Sequence, residues 1–417
     1  MLQPPGAARN QRLGLNSRRP SIIAGICNAR MPLLDWPSGT IVQLPLGRHW
    51  RYFSAFRCEK AKVCLLFKDQ VTEKYVGLLT SHDGVHFDSG IHRLLNSSWK
   101  RAHMTHNLAI AGPHSLAGSS RAFLLVGGQY NTDRTRRGER PNEGIWFARW
   151  PIVATATSSA GSSSNVALSS HSTATAAATA PLFGARPRLL GARLLFNGSH
   201  PNCIERRRGL NNKNLYPGVG QKNRACEFDG RLSLVHHKGR WLLFARANPT
   251  ERGNRYVQVT QSSDGLRTWS PFKMLEMRDY RFTDGDMYFF LVFNNPVNAR
   301  SLVAIFPLLQ YGVGGSCIGI AASSDGIRWS PIAPLASCPY ADPRKERALC
   351  HPAGLVPSEA GNRDILLYLH NSVPAPDKYG GKSQRPDLIQ PIPTLTLHRI
   401  SRQAFSSWSS RALATAG

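Results

Sequence analysis

The sequence is poor in the features that usually place a chain quickly. No apolar run approaches the ~18 residues that a membrane-spanning helix needs, so no transmembrane helix is expected. None of the eight cysteines forms a CxxC pair, which argues against a structural zinc site of ordinary spacing. Eight cysteines in 417 residues are also too sparse for a disulfide scaffold. Cys203 with Cys226, or Cys338 with Cys350, is a feasible pair in an oxidising compartment, and buried thiols are the default. A Walker loop, a G-x-S-x-G elbow, an H-E-x-x-H helix and a Rossmann phrase are all missing. That argues against nucleotide hydrolysis, serine esterase and zinc protease chemistry, and no cofactor is implied.

Acids are scarce as well: 25 Asp+Glu face 52 Lys+Arg, for a net charge of +27. Such a balance raises nucleic-acid binding first. Only 12 of the basic residues are lysine, however, and the arginines are scattered rather than gathered into a stripe. No specific nucleic-acid role is expected. The acid-free, arginine-bearing first 34 residues faintly suggest a transit peptide without an apolar core, which leaves localisation open.

What is present is β-structure. Short runs rich in Val, Ile, Leu, Phe and Tyr recur between turn residues: Lys62–Phe67, Tyr75–Thr80, Arg121–Val126, Gly144–Trp150, Leu232–His236, Arg240–Arg246, Tyr256–Gln261, Met287–Phe293, Leu302–Phe306, Cys317–Ala322 and Ile365–His370. Helical periodicity is nearly absent between them, so the expected class is all-β. Ala154–Ala180 contains no acid, Lys, Arg or aromatic residue and reads as a disordered low-complexity insertion between the second and third units.

One phrase repeats. Ser81–Phe87 (SHDGVHF), Ser262–Trp269 (SSDGLRTW) and Ser323–Trp329 (SSDGIRW) each follow a β-run. Asp-Gly supplies a tight turn, and the aromatic residue returns to cover the strand just left. The acids of the phrase are thus expected to form turns rather than do chemistry. Repetition in a β-rich chain points to a radial architecture. With the phrase as the outer hairpin, units fall at 50–89, 103–150, 224–275, 284–335 and 349–408. A five-bladed β-propeller is expected, with six blades as the fallback. The expected organisation is an N-terminal extension over 1–44, a single propeller over 45–408 carrying the insertion at 153–180, and a tail over 409–417.

Two acidic pairs stand out in so acid-poor a chain. Glu227 and Asp229 straddle Phe228 just before a β-run, and Asp284 and Asp286 head the next unit. Strand alternation puts each pair on one face, where facing carboxyls can split their pKa values into acid and base. Asp229, Asp286 and Glu227 are the catalytic candidates. The alternative is that Asp229 and Asp284 are turn residues beside Gly230 and Gly285. Arg231, Arg246 and Arg255 are placed to hold a carboxylated or sulfated sugar, or to pair with an acid of their own sheet. Tyr130, Tyr288 and Tyr311 suit sugar stacking, whereas Trp241, Trp269 and Trp329 suit packing between sheets.

These phrases, with Thr105–Ile110 (THNLAI), Cys226–Arg231 (CEFDGR) and Asp284–Tyr288 (DGDMY), resemble the five-bladed propeller glycoside hydrolases of the invertase, levansucrase and arabinanase kind, and more narrowly their uncharacterised members. The resemblance covers about residues 45–375. It implies a central funnel whose narrow end carries a nucleophile or base, a transition-state stabiliser and a general acid. It also implies that His106, Asn107 and His351 face the funnel as substrate-binding groups. The invertase phrases W-M-N-D-P-N-G, R-D-P and E-C are absent. The resulting expectation is a monomeric glycosidase acting on an oligosaccharide or glycan. A non-catalytic glycan- or protein-binding propeller is the alternative, followed by a sialidase.

Overall fold

The computed structural model describes residues 22–29, 39–46, 50–59, 62–69, 76–88, 92–95, 108–114, 122–129, 144–151, 190–197, 231–247, 255–281, 284–309, 316–338, 349–357, 363–373 and 394–416. Helix α1 (Ile22–Asn28) comes first, then the short strand β1 (Thr40–Ile41). Antiparallel sheets then follow in chain order. β2 (Trp50–Glu59), β3 (Lys62–Asp69), β4 (Val76–Ser81) and β5 (His92–Leu95) make the first. β6 (Ala109–His114), β7 (Ala122–Gln129), β8 (Gly144–Pro151) and β9 (Leu190–Asn197) make the second. β10 (Ser233–His237), β11 (Arg240–Ala247), β12 (Tyr256–Ser262) and β13 (Lys273–Met274) make the third.

After β14 (Glu276–Met277), a sheet of five strands takes in β15 (Asp286–Met287), β16 (Leu291–Asn294), β17 (Leu302–Leu309) and β18 (Ser316–Ser323). β19 (Arg328–Trp329) runs parallel to β14, and β20 (Ala333–Cys338) completes the five. The last sheet holds β21 (Leu349–Pro357), β22 (Asp364–Val373) and β23 (Thr394–Ser401), with β1 added on its outer edge. Helix α2 (Arg402–Thr415) ends the described chain.

The innermost strands stand side by side. β10 lies between β6 and β16, β21 touches β16 and β2, and β2 touches β6, so the ring returns to its start. Apolar clusters fill the wedges between neighbouring sheets. Phe244, Phe290, Phe306 and Trp329 join the third sheet to the next, and Leu124, Leu234 and Trp269 join the second to the third. Phe53, Phe67, Tyr368 and Leu397 join the first sheet to the last. The mostly β chain thus adopts a β-propeller arrangement. No helix among the described residues is long and apolar enough to cross a membrane.

The repeated phrase folds by its local chemistry. Asp325 Oδ1 accepts from the Ile327 and Arg328 amides, both at 2.8 Å, and Ser323 Oγ accepts from Gly326 N at 2.8 Å. Asp83 and Asp264 make the same kind of turn. Gly84, Gly265 and Gly326 take φ of +77°, +72° and +79°, which only glycine adopts without strain. The longer middle copy places Leu266 in the left-handed region too, at φ 75°. The closing aromatics Phe87, Trp269 and Trp329 are buried, as expected of packing residues.

Several boundaries differ from expectation. β1, which falls within the expected extension over 1–44, pairs with β23 of the last sheet. β9 pairs with β8, so the chain returns to the second sheet after residue 180, while the low-complexity stretch at 154–180 lies outside the described residues. Residues 409–415 are no tail: α2 runs through them, with Phe405 and Trp408 buried against the core. The single run expected over Met287–Phe293 is broken. Four residue steps from Met287 to Leu291 face three from Leu308 to Ile305, so the chain bulges at 288–290. Finally, Cys27 is bonded to Cys317 and Cys58 to Cys64, while Cys338 and Cys350 are buried thiols; the default of thiols throughout does not hold.

Candidate active site

The ring strands line a cavity of about 880 Å³. Its lining runs from Ser54–Cys58 of β2, through residues 108–112 and 231–236, to residues 291–294 of β16 and residues 353–357 of β21. Strand regularity fails at one end of this cavity. β2 carries a register shift between Arg51 and Ser54, with Tyr52 at φ 55°. β21 is irregular on both sides of His351 and Pro352. The break at 288–290 adds a third irregularity. Bulges re-aim side chains, and here they gather aromatic groups at the heads of three inner strands.

His351, only 3% exposed, is stacked between two tyrosines. Tyr52 lies 6.1 Å away at 19°, and Tyr288 lies 5.6 Å away at 25°. Phe289 meets the imidazole edge-on at 4.8 Å. Arg231 sits beneath, 5.7 Å from the Phe289 ring centre. It donates through Nη1 to the Pro352 carbonyl at 3.1 Å, and through Nη2 to the Phe53 carbonyl and the Ser54 hydroxyl. One guanidinium therefore ties the heads of β2, β10 and β21 together. Burial pushes it down to about 9, with nearby Tyr52 pulling the other way, so it remains a cation at neutral pH.

The expected residues divide three ways. Arg231, Tyr288 and His351 come together as described, and of the three only Arg231 lines the cavity. Arg246 stands on β11, two residues beyond the Phe244 that pairs with Ser233, so it is one strand removed from the ring and does not line the cavity. Asp286 is held by Arg255. Its side chain has no exposed surface and is absent from the cavity lining. Oδ1 accepts from the Arg255 amide at 2.5 Å, and Oδ2 pairs with Arg255 Nη1 at 2.9 Å. The alternation argument fails here because β15 ends before the chain reaches the ring. Arg255 in turn lies 5.0 Å from the Tyr288 ring centre, so this ion pair buttresses the stack from behind. Asp284 accepts from the Arg281 amide at 2.6 Å, a turn role. Glu227, Asp229, His106 and Asn107, with Tyr130 and Tyr311, lie outside the described residues.

Tyr52 and Phe289 are the site residues that the sequence reading missed. Neither carries a signal: Tyr52 lies in an ordinary-looking strand, and Phe289 in an unbroken apolar run. Among the described residues, no group of three His, Cys, Asp or Glu side chains is arranged to hold a metal ion.

No family model matches the sequence, and no curated protein matches it either. Solved structures similar in chain path include an N-acetylgalactosamine deacetylase from F. plautii, at 11% identity and TM-score 0.42, covering 90% of this chain and 99% of that one. The catalytic domain of the GH62 α-L-arabinofuranosidase of Coprinopsis cinerea gives 9% identity and TM-score 0.45, over 88% and 94% of the two chains. A glycosyl hydrolase from Bacteroides ovatus gives 12% and 0.43, over 88% and 95%. Values this low say nothing of what the present chain binds or does.

Proposed function

We propose that the chain is a carbohydrate-active propeller of five blades, one for each of its larger antiparallel sheets, and that it acts as a glycoside hydrolase at the Arg231 end of the central cavity. The observation that carries this reading is the Tyr52–His351–Tyr288 stack with Phe289 and Arg231 at the heads of the inner strands. Aromatic faces suit the C–H faces of sugar rings, and a few convergent polar groups beside them fix orientation. Glu227 and Asp229 precede Arg231 by four and two residues. On this reading one of the two protonates the glycosidic oxygen. The other attacks the anomeric carbon or activates water, according to how far apart the carboxyls stand. Arg231, near both in sequence, favours the ionised form of a neighbouring carboxyl.

The test is turnover of aryl-glycosides and oligosaccharides by the full chain, with Asp229→Asn and Glu227→Gln beside it. Either substitution should lower kcat by roughly a thousandfold or more while the protein stays folded. Turnover that survives both substitutions would refute the assignment. A second reading, sugar binding without hydrolysis, is favoured by one observation: the described cavity lining holds no Asp or Glu, and Asp286 is committed to Arg255. Sugar binding with no turnover on any substrate would select it. The reading also takes the protein to be a monomer without a specific nucleic-acid partner.

A further inference from the structure

Arg231 brings a positive charge into the cavity wall with 3% of its surface exposed. Among the described residues, the groups that meet it are neutral: the Pro352 and Phe53 carbonyls and the Ser54 hydroxyl. Carbonyl dipoles solvate a cation without neutralising it, and a desolvated charge lacking a counter-ion is costly. Its Nε has no hydrogen-bond partner among the described residues, although a guanidinium offers five donors. The rest of the described lining repeats the pattern. It contains Arg57 and His236, the hydroxyls of Ser54 and Ser233, the Asn294 amide, and no acidic side chain. The volume, about 880 Å³, falls within the range of small-molecule sites.

We infer that the cavity takes an acidic oligosaccharide, one bearing a carboxylate or a sulfate ester, with Arg231 as the counter-ion to its anionic group. This rests on the carbohydrate reading above and narrows it to a substrate class. Phe289, lying against both Arg231 and His351, joins the charged group to the aromatic cluster. Beside a buried guanidinium a charge-assisted hydrogen bond is worth more than it is in water, so charge on the sugar should be felt strongly.

The experiment is calorimetric titration of the full chain with galacturonic acid trisaccharide and with its methyl ester, which differ in charge and little else. Galactose 6-sulfate and inorganic sulfate are run alongside. The acid should bind at least about tenfold more tightly than the ester, because a hydrogen bond to a charged group outweighs a neutral one. A sulfated sugar that binds more tightly than the uronate assigns the anion as a sulfate ester, and the reverse order assigns a carboxylate. Arg231→Met should bring acid and ester together, and Arg231→Lys should keep part of the gap. Because Arg231 pins three strands, the wild-type comparison decides even if the Met variant does not fold. Equal binding of acid and ester overturns the charge inference and leaves the carbohydrate reading standing. Silence from every sugar, neutral ones included, sinks both. Inorganic sulfate binding as tightly as the acidic sugars marks a bare anion site and overturns the saccharide assignment.

Discussion

Replacing Asp286 by alanine separates a structural carboxylate from a catalytic one. The wild-type side chain is fully enclosed, and Arg255 is 14% exposed. Deletion removes the acceptor of the Arg255 amide and the counter-charge of its guanidinium together. Breaking a buried pair from one side costs about 3–5 kcal/mol, much of it the penalty for the charge left behind. An amide stripped of its acceptor adds to the same sum rather than to a separate one. A loss of about 3 kcal/mol in urea unfolding is therefore expected, with the urea dependence itself unchanged. The double variant Asp286→Leu/Arg255→Met removes both charges and should recover a good part of that loss. In the double variant alone, Tyr288 is left without the cation behind its ring, which should weaken sugar binding modestly. An Asp286→Ala protein of wild-type stability but without activity would refute this account. It would return Asp286 to the catalytic set.

Gly326→Ala should cost about 1–3 kcal/mol: at φ +79° an added Cβ would stand 2.6 Å from Leu242 Cδ1, so strain and overlap coincide, and a thermal melt reads the loss. Acid should unfold the protein in two stages, followed by fluorescence across a pH series. Burial holds His398 down to about 4 from an ordinary 6.5, so the stability it contributes is complete above pH 6.5 and is lost as pH falls towards 4. The Asp264 carboxyl is held below its usual range by the Thr268 hydroxyl and amide, and Asp83 and Asp325 are lowered likewise, so this contribution is lost only below about pH 4; Asp264→Asn should shrink that second stage in part and leave the first.

What could be read from the sequence was local. Asp264 and Asp325 bond amides within four residues of themselves, so the phrase alone specifies the turn. The β-runs were legible for the same reason, and β3, β7, β11 and β18 fall where the apolar runs lie. Elements set by distant partners were not. β1 is two residues long and is a strand only because β23 lies beside it. Helix α2 is rich in serine, a weak helix former, and is held by Phe405, Trp408 and the Asn295–Ser409 hydrogen bond. At the site, period-two reasoning needs an unbroken strand. The bulge at 288–290 put Tyr288 and Phe289 beside His351, while Asp286 stayed behind with Arg255.

The pairing of Thr40 with Leu397 also has a meaning in time. During synthesis β1 leaves the ribosome early, and its partner follows only after more than 350 further residues, roughly 20–70 s at ordinary elongation rates. Throughout that interval the N-terminal strand has no edge to join, because β23 is the last strand of its sheet to be made, after β21 and β22. The barrier to closing the ring is then mainly the entropy of bringing two remote ends together, which slows folding far more than it weakens the folded state. The clasp works as a latch that engages last, so a nascent chain arrested before β23 leaves β1 without its partner.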